Sequence, residues 1–244
     1  MPPSKARFAT LTSWSFSVYV QYLKCPFSVC LDKIMRVRIV EPPNPHFEKG
    51  TRIHGNAEKC IATTAGRMPK LEPEFEKQPK LKEMITRFRK AKAKVELEWA
   101  FDRQYNVVDW RDWTKAWLRI KTDVCADTVD PPTVDIVDWK TGKTYEEHKQ
   151  QRSLYALGGL QLVQLGVLAG GSKDTQLTAR HVYVDTGLEA TEEFTMKNLA
   201  PLKREWAARI KQMMSDTVYK THIGHHCKYC KYAKSRGGPC PEKM

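Results

Sequence analysis

Asp138, Trp139 and Lys140 form an Asp-x-Lys tripeptide inside VDWKTGK, and Asp123 closes the run RIKTD fifteen residues earlier. Two carboxylates brought together repel, and a divalent cation between them relieves that repulsion. An ammonium beside them orients or polarises a water. An Asp two residues before a Lys arises by chance about once in every fifteen Asp residues, so the tripeptide needs its context. That context is a β-hairpin. Two strand-like runs, Trp117 to Val124 and Thr133 to Trp139, flank Asp127 to Pro132, whose Asp and Pro residues suit a turn. Alternation puts Asp138 and Lys140 on one face, and pairing of the two runs brings Asp123 to within a few ångström of Asp138.

The elements around the hairpin carry further polar candidates. From Phe47 to about Ala65 the sequence has a helical period, with Gly50, His54 and Glu58 on one face. A lone histidine on a helix is more often surface or satisfied core than a ligand. Val95 to Asp102 alternates as a strand, with Glu96 and Glu98 on one face and Leu97 and Trp99 on the other. Tyr145 to about Leu168 reads as a long helix. Gln151 and Tyr155 lie one turn apart near its start, where they face back toward the strand holding Asp138. Gln176 to Asp185 alternates as a last strand.

Outside this set, Ser13 to Arg36 reads as a helix with the apolar face Phe16, Val20, Leu23 and Phe27, kinked or divided at Pro26. Met68 to Lys94 is a connector followed by a basic helix, either a solvated charged face or a rim that contacts phosphates. The run DWRDWTKAW interleaves tryptophans with Arg and Lys, a pattern that serves base stacking, although packing over the hairpin is the commoner use. Asn198 to Ser215 forms a basic amphipathic helix with Leu202, Trp206, Ile210 and Met213 or Met214 on one side.

The 41 Lys and Arg exceed the 28 Asp and Glu and leave a net charge of +13, which suits a polyanionic partner. A membrane is the competing partner for basic charge. The most apolar run, Leu154 to Gly171, is broken by Gln161, Gln164 and glycines and reads as a buried helix. The first residues lack the apolar stretch of a secretory signal, so the expected location is cytoplasmic, or the host cytoplasm for a phage-encoded chain. The seven cysteines are then reduced, and clustered ones are metal candidates before they are disulfides. Cys227 and Cys230 form C-x₂-C, with Cys240 following. Zinc with His222, His225 or His226 completing the set is one reading, and reduced thiols with no metal is another. Cys60, Cys125 and Cys30 read as core residues.

The order helix, strand, strand, strand, helix, strand, with an Asp ending one strand and Asp-x-Lys ending the next, resembles the PD-(D/E)XK nuclease superfamily. The likeness is greatest to its RecB-type branch, which includes CRISPR adaptation exonucleases and many phage exonucleases. Its signatures stand here in order: His54 in GTRIHGNAE, Asp123 in RIKTD, Asp138 and Lys140 in VDWKTGK, and Gln151 with Tyr155 in QRSLY. The resemblance implies an α/β (α+β) fold, a restriction-endonuclease-like αβββαβ core with a mixed central sheet, flanked by N- and C-terminal helices. It implies a single nuclease domain over 1–244 with its core at about 47–185. His54, Asp123, Asp138 and the backbone carbonyl of Trp139 would hold Mg²⁺ or Mn²⁺. Lys140 would position the attacking water, and Gln151 and Tyr155 would steady the site and the nearby DNA strand. Glu98, and after it Glu58, are further acidic candidates.

Some RecB-type members also hold a [4Fe–4S] cluster on one N-terminal and three C-terminal cysteines. Cys25 stands in the first place, with Cys227, Cys230 and Cys240 in the others. Such a cluster would join residues 13–36 to residues 197–240, with Zn²⁺ as the alternative. The function implied is a metal-dependent deoxyribonuclease, an exonuclease acting at DNA ends. The alternative is a catalytically silent DNA-binding or assembly module that keeps the nuclease fold. A helicase, a recombinase or further copies of the chain are the expected partners beside DNA. A zinc-ribbon regulator would leave the Asp-x-Lys hairpin unexplained.

Overall fold

A computed structural model describes residues 7–63 and 65–242. They divide into two compact units: the chain up to Pro42 together with the chain from Trp206 onward, and Pro43–Glu205 between them.

The unit made by the two chain ends begins with a two-residue strand β1 (Trp14–Ser15), then helices α1 (Phe16–Lys24) and α2 (Pro26–Val29) and a π-helical turn Cys30–Ile34. The helix over Ser13 to Arg36 is thus divided at Pro26. A residue before proline is pushed toward extended backbone, and Cys25 takes φ −161° and ψ 105° between α1 and α2. The buried face of α1 is Val18, Tyr19 and Tyr22 rather than the expected Phe16, Val20, Leu23 and Phe27, and Leu23 is 53% exposed. Aromatic packing made the choice. Tyr19 meets the Trp206 ring edge-on at 5.4 Å, Trp14 stacks on it at 5.6 Å, and the Tyr22 hydroxyl reaches Asp216 at 2.7 Å. A tyrosine buries its ring while its hydroxyl finds a polar partner, which helical periodicity in apolar residues does not register.

In the second unit, α3 (Pro45–Ala62) starts on Asn44, whose side chain accepts from His46 N, with Pro45 in the first turn. Helices α4 (Pro73–Glu76) and α5 (Pro79–Lys90) follow. The strands are β2 (Lys94–Phe101), β3 (Val107–Val108), β4 (Leu118–Val129), β5 (Pro132–Lys140), β6 (Gln176–Tyr183) and β7 (Leu188–Thr195), with α6 (Glu147–Gln164) crossing from β5 to β6. Their order is β3-β2-β4-β5-β6-β7. β5 and β6 are parallel and the other neighbours antiparallel, so the sheet is mixed. The expected αβββαβ core is α3, β2, β4, β5, α6 and β6.

The hairpin is tighter than expected. β4 and β5 pair to Val129↔Pro132, leaving two residues at the turn instead of six. Gln176 to Asp185 is not the last strand, since β7 follows it. In LEATEEFT the alternation of Leu188, Ala190 and Phe194 is interrupted by Glu192, which puts charge on both faces, as suits an edge strand guarded by charge.

Helices cover both sheet faces. Ile53 and Ala57 of α3, Phe75 of α4 and Leu81, Ile85 and Phe88 of α5 form one core cluster with Val124, Val137, Trp139 and Val182. On the other face α6 lies so close that a Cβ on Gly158 would meet Ile120 at 2.7 Å, and one on Gly159 would meet Leu177 at 2.6 Å. Val95 packs with the first layer and Trp99 against α6. Both have the same parity along β2, so strict alternation fails between them. Glu96, with φ 49°, is the residue where the strand turns over. No helix among the described residues is long and apolar enough to cross a membrane.

Candidate active site

Four side chains close a ring at the carboxyl end of β5. Tyr155 donates to Asp138 Oδ1 at 2.5 Å, Gln151 Nε2 donates to the Tyr155 hydroxyl at 2.7 Å, and Lys140 Nζ donates to Gln151 Oε1 at 2.9 Å. Lys140 Nζ closes the ring 2.6 Å from Asp138 Oδ2. Two periodicities make this possible: residues two apart share a face on β5, and residues four apart share a face on α6. The connecting segment turns at Gly142, whose φ of 97° suits glycine, and Gly142 N donates to Asp185 Oδ2 at 2.9 Å.

Asp123 stands beside this ring on β4. The β4–β5 register sets it opposite Asp138, but strand pairing stops one step short, at Val124↔Val137. Trp139 N donates to Asp123 Oδ2 at 2.7 Å in place of a ladder bond. The carboxylate therefore occupies the fork between the strands. His54, on α3, places Nδ1 3.2 Å from Asp123 Oδ1.

The donor atoms that converge are those of His54, Asp123 and Glu96, all within 4.8 Å of one another. This differs from the expected set in two respects. Glu96 is the strand carboxylate that joins the group, while Glu98 is exposed, because the left-handed backbone at Glu96 breaks the alternation that placed them together. Asp138 is engaged by Lys140 and Tyr155. Lys121 holds Glu96 Oε2 at 2.6 Å. The Trp139 ring is buried, edge-on to Phe75 at 5.4 Å.

Electrostatics separate the two aspartates. Burial and the charge of Asp138 raise Asp123 above the ordinary carboxylate range, against the pull of His54 and of Trp139 N. Burial also pushes Asp138 upward, but Lys140, His181 and Tyr155 outweigh it and hold its carboxyl low. Asp138 is thus the ionised member of the pair and Asp123 the one that more readily keeps a proton. Burial lowers His54, yet its bond to Asp123 and the charges of both aspartates raise it on balance. Burial raises Tyr155 well above its usual value, so it remains a phenol that donates. His181, missed in the sequence reading because a histidine within an alternating strand carries no distinguishing signal, is pushed down to about 3, chiefly by burial.

An imidazole and carboxylates suit Mg²⁺ or, with the histidine included, Mn²⁺. Asp138 Oδ2 is a buried oxygen whose close partner is the Lys140 ammonium, and a carboxylate oxygen has a second lone pair to offer. With the convergent donors of His54, Glu96 and Asp123 beside it, this set fits a site that takes a cation.

The cysteines of interest lie in the unit of the chain ends. Cys25 sits at the α1–α2 break. Cys227 lies in a 3₁₀ turn, His225–Tyr229, that Cys230 ends. Cys240 N bonds Tyr232 O at 2.9 Å, and Gly238 packs so tightly on Tyr232 that a Cβ would fall 2.3 Å from its carbonyl carbon. The Cys240 thiol is raised by burial and then by Cys25 and Cys230, its electrostatic neighbours. All four are partly exposed, whereas Cys30, Cys60 and Cys125 are buried. Among the tail histidines, His226 Nε2 lies 3.0 Å from His222 O.

The family model for the PD-(D/E)XK nuclease superfamily matches residues 13–235. No curated protein matches this chain. Among solved structures, the crystal structure of SSO0001 aligns with 97% of this chain and 89% of its own length, at 15% identity and a TM-score of 0.44, a likeness too low to carry an argument.

Proposed function

Because the chain belongs to the PD-(D/E)XK nuclease superfamily, we propose that it is a metal-dependent deoxyribonuclease that hydrolyses phosphodiester bonds at DNA ends. The family supports a nuclease hydrolase using divalent metal. The observation that carries the reading is the closed ring of Asp138, Lys140, Gln151 and Tyr155 standing beside the convergent donors of His54, Glu96 and Asp123. The preference for ends rests on the likeness of these motifs to RecB-type exonucleases, and DNA as substrate accords with the net charge of +13.

His54, Glu96, Asp123 and Asp138, with the Trp139 carbonyl, are the proposed holders of Mg²⁺ or Mn²⁺. The cation would supply Lewis acidity, making water a better nucleophile at neutral pH and neutralising charge that builds on the phosphate. Lys140 is preorganised: Gln151 and Asp138 fix its ammonium, so it orients the attacking water and offsets negative charge without first being ordered. Tyr155 keeps its proton and holds Asp138 Oδ1. Gln151 uses both ends of its amide, accepting from Lys140 and donating to Tyr155, so its loss would loosen both.

In the unit of the chain ends, Cys25, Cys227, Cys230 and Cys240 are the proposed holders of a [4Fe–4S] cluster, supported by the proximity of Cys25 and Cys230 to Cys240. A preparation with broad absorption at about 400 nm supports it, and stoichiometric zinc in a colourless protein refutes it.

The test of the activity is digestion of end-labelled single- and double-stranded DNA, and of closed circles, with Mg²⁺ or Mn²⁺. Wild type should shorten linear substrates and spare circles, and Lys140→Ala should leave both intact. Equal digestion by both proteins removes the assignment. Tight, salt-sensitive DNA binding without cleavage favours the silent binding module instead.

A further inference from the structure

Two buried polar atoms face each other beside the ring described above. His181 Nε2 and Asp138 Oδ2 are 3.8 Å apart; the nitrogen has no hydrogen bond among the described residues, and the oxygen is engaged on its other side by the Lys140 ammonium at 2.6 Å. A buried N–H is rarely left unpaired, and the carboxylate 3.8 Å away, beyond hydrogen-bond length, is the anionic group that this nitrogen faces. His181 is fully buried on β6, where the parallel register sets it next to Asp138 on β5.

The other ring nitrogen decides what Nε2 carries. His181 Nδ1 lies 3.2 Å from Arg152 Nη1. A guanidinium has donors and no acceptor, so Nδ1 accepts and the imidazole proton sits on Nε2, the atom turned toward Asp138. Arg152 is itself buried, on α6, with Glu192 of β7 as its counter-charge at 3.5 Å. The rings of His148 and Tyr155 pack edge-on to His181 at 5.1 and 6.1 Å and hold its plane. Neither supplies a bond to Nε2.

We propose that His181 is a positioning residue: its Nε2–H, with the tautomer set by Arg152, restrains Asp138 Oδ2 so that the carboxylate meets a divalent cation in one orientation. This rests on the metal-dependent reading of the site. Groups that orient a ligating side chain tune metal affinity without touching the metal, and their loss typically weakens binding about 10- to 100-fold.

The probe is Mn²⁺ alone, titrated calorimetrically into the full chain without DNA. His181→Phe keeps a ring and removes the donor. It should weaken Mn²⁺ about tenfold or more, raise the Mn²⁺ needed for cleavage, and leave the rate at saturating Mn²⁺ nearer to wild type. His181→Gln returns an N–H at similar reach and should recover most of the affinity. Unchanged Mn²⁺ affinity in folded His181→Phe overturns the proposal, as does His181→Gln behaving no better than His181→Phe. Two measurements stand if His181→Phe does not fold. Imidazole ¹⁵N shifts of the wild type should show the Nε2–H tautomer, and the Nδ1–H tautomer overturns the proposal. Arg152→Met should mix the tautomers and weaken Mn²⁺ in part, and unchanged affinity there also overturns it. Wild type that neither binds Mn²⁺ nor cleaves DNA refutes the functional reading itself. Wild type that binds it, beside a variant that binds it equally, refutes only the role of His181.

Discussion

In the unit Pro43–Glu205 the polar side chains stand on α3, β2, β4, β5 and α6, and most are tied to one another. In the unit of the chain ends, the four cysteines stand at a helix break, in a 3₁₀ turn and in a glycine-bound loop. The first arrangement is fixed before any ligand arrives, because each side chain inherits its direction from a regular element and a packed layer. The second stands on irregular segments, around a core that includes the aromatic cluster at Trp206 and hydrogen bonds such as Tyr22 to Asp216 and Tyr232 to Asp32. Small units with little regular structure commonly need a staple. A metal centre on these cysteines would supply one.

Variants in the two units should therefore fail differently. The largest effect belongs to Lys140→Ala, which should lower DNA cleavage by about 10²- to 10⁴-fold while the thermal midpoint moves little. A large fall in the midpoint would mean that the ring supports the fold more than the chemistry. Next, Trp206→Ala should destabilise the unit of the chain ends by about 3–5 kcal/mol, measured by urea unfolding. A loss under about 1 kcal/mol would show that the cluster around it is not what holds that unit.

Gly158→Ala tests the other unit at a smaller scale. Its methyl would press on Ile120 and Trp99, at a cost of about 1–3 kcal/mol, and would push on the helix that carries Gln151 and Tyr155. Cleavage should fall along with stability, and a neutral outcome would show that α6 has room to shift.

The smallest effect is a pH dependence. Burial pushes the Asp216 carboxyl up, but bonds from Tyr219 N, the Tyr22 hydroxyl and Val218 N outweigh it and hold it below the ordinary range. A carboxylate lowered in the folded state stabilises fully above its unfolded pKa, and that contribution disappears as pH falls through the folded value. Unfolding free energy should thus decline below about pH 4. Asp216→Asn should flatten part of that decline, at a cost of about 1 kcal/mol at neutral pH. An identical slope in the variant would dismiss Asp216 as a source.

Much of the nuclease core was legible because its signals are periodic. Asp138 and Lys140 share a strand face by spacing alone, and Gln151 and Tyr155 share a helix face. The less visible parts depend on departures from period or on partners distant in sequence. Glu96 is brought toward His54 by a left-handed residue inside a strand, the alternation of β7 is broken by Glu192, and the buried face of α1 was selected by Trp206, some 190 residues along the chain.

By itself, the amino-acid sequence determined the order of the core elements, the presence of Asp123 on one hairpin strand, of Asp138 and Lys140 at the end of the other and of Gln151 and Tyr155 on one helix face, and the basic charge. These follow from local steric periods of two and 3.6 residues and from composition. Tertiary structure alone decided that Glu96 joins His54 and Asp123, that Lys140 is held between Asp138 and Gln151, and that His181 and Arg152 stand behind Asp138. Those are meetings between separate elements. They depend on the fork between β4 and β5, on the close approach that Gly158 and Gly159 allow α6, and on burial that makes each polar atom seek a partner.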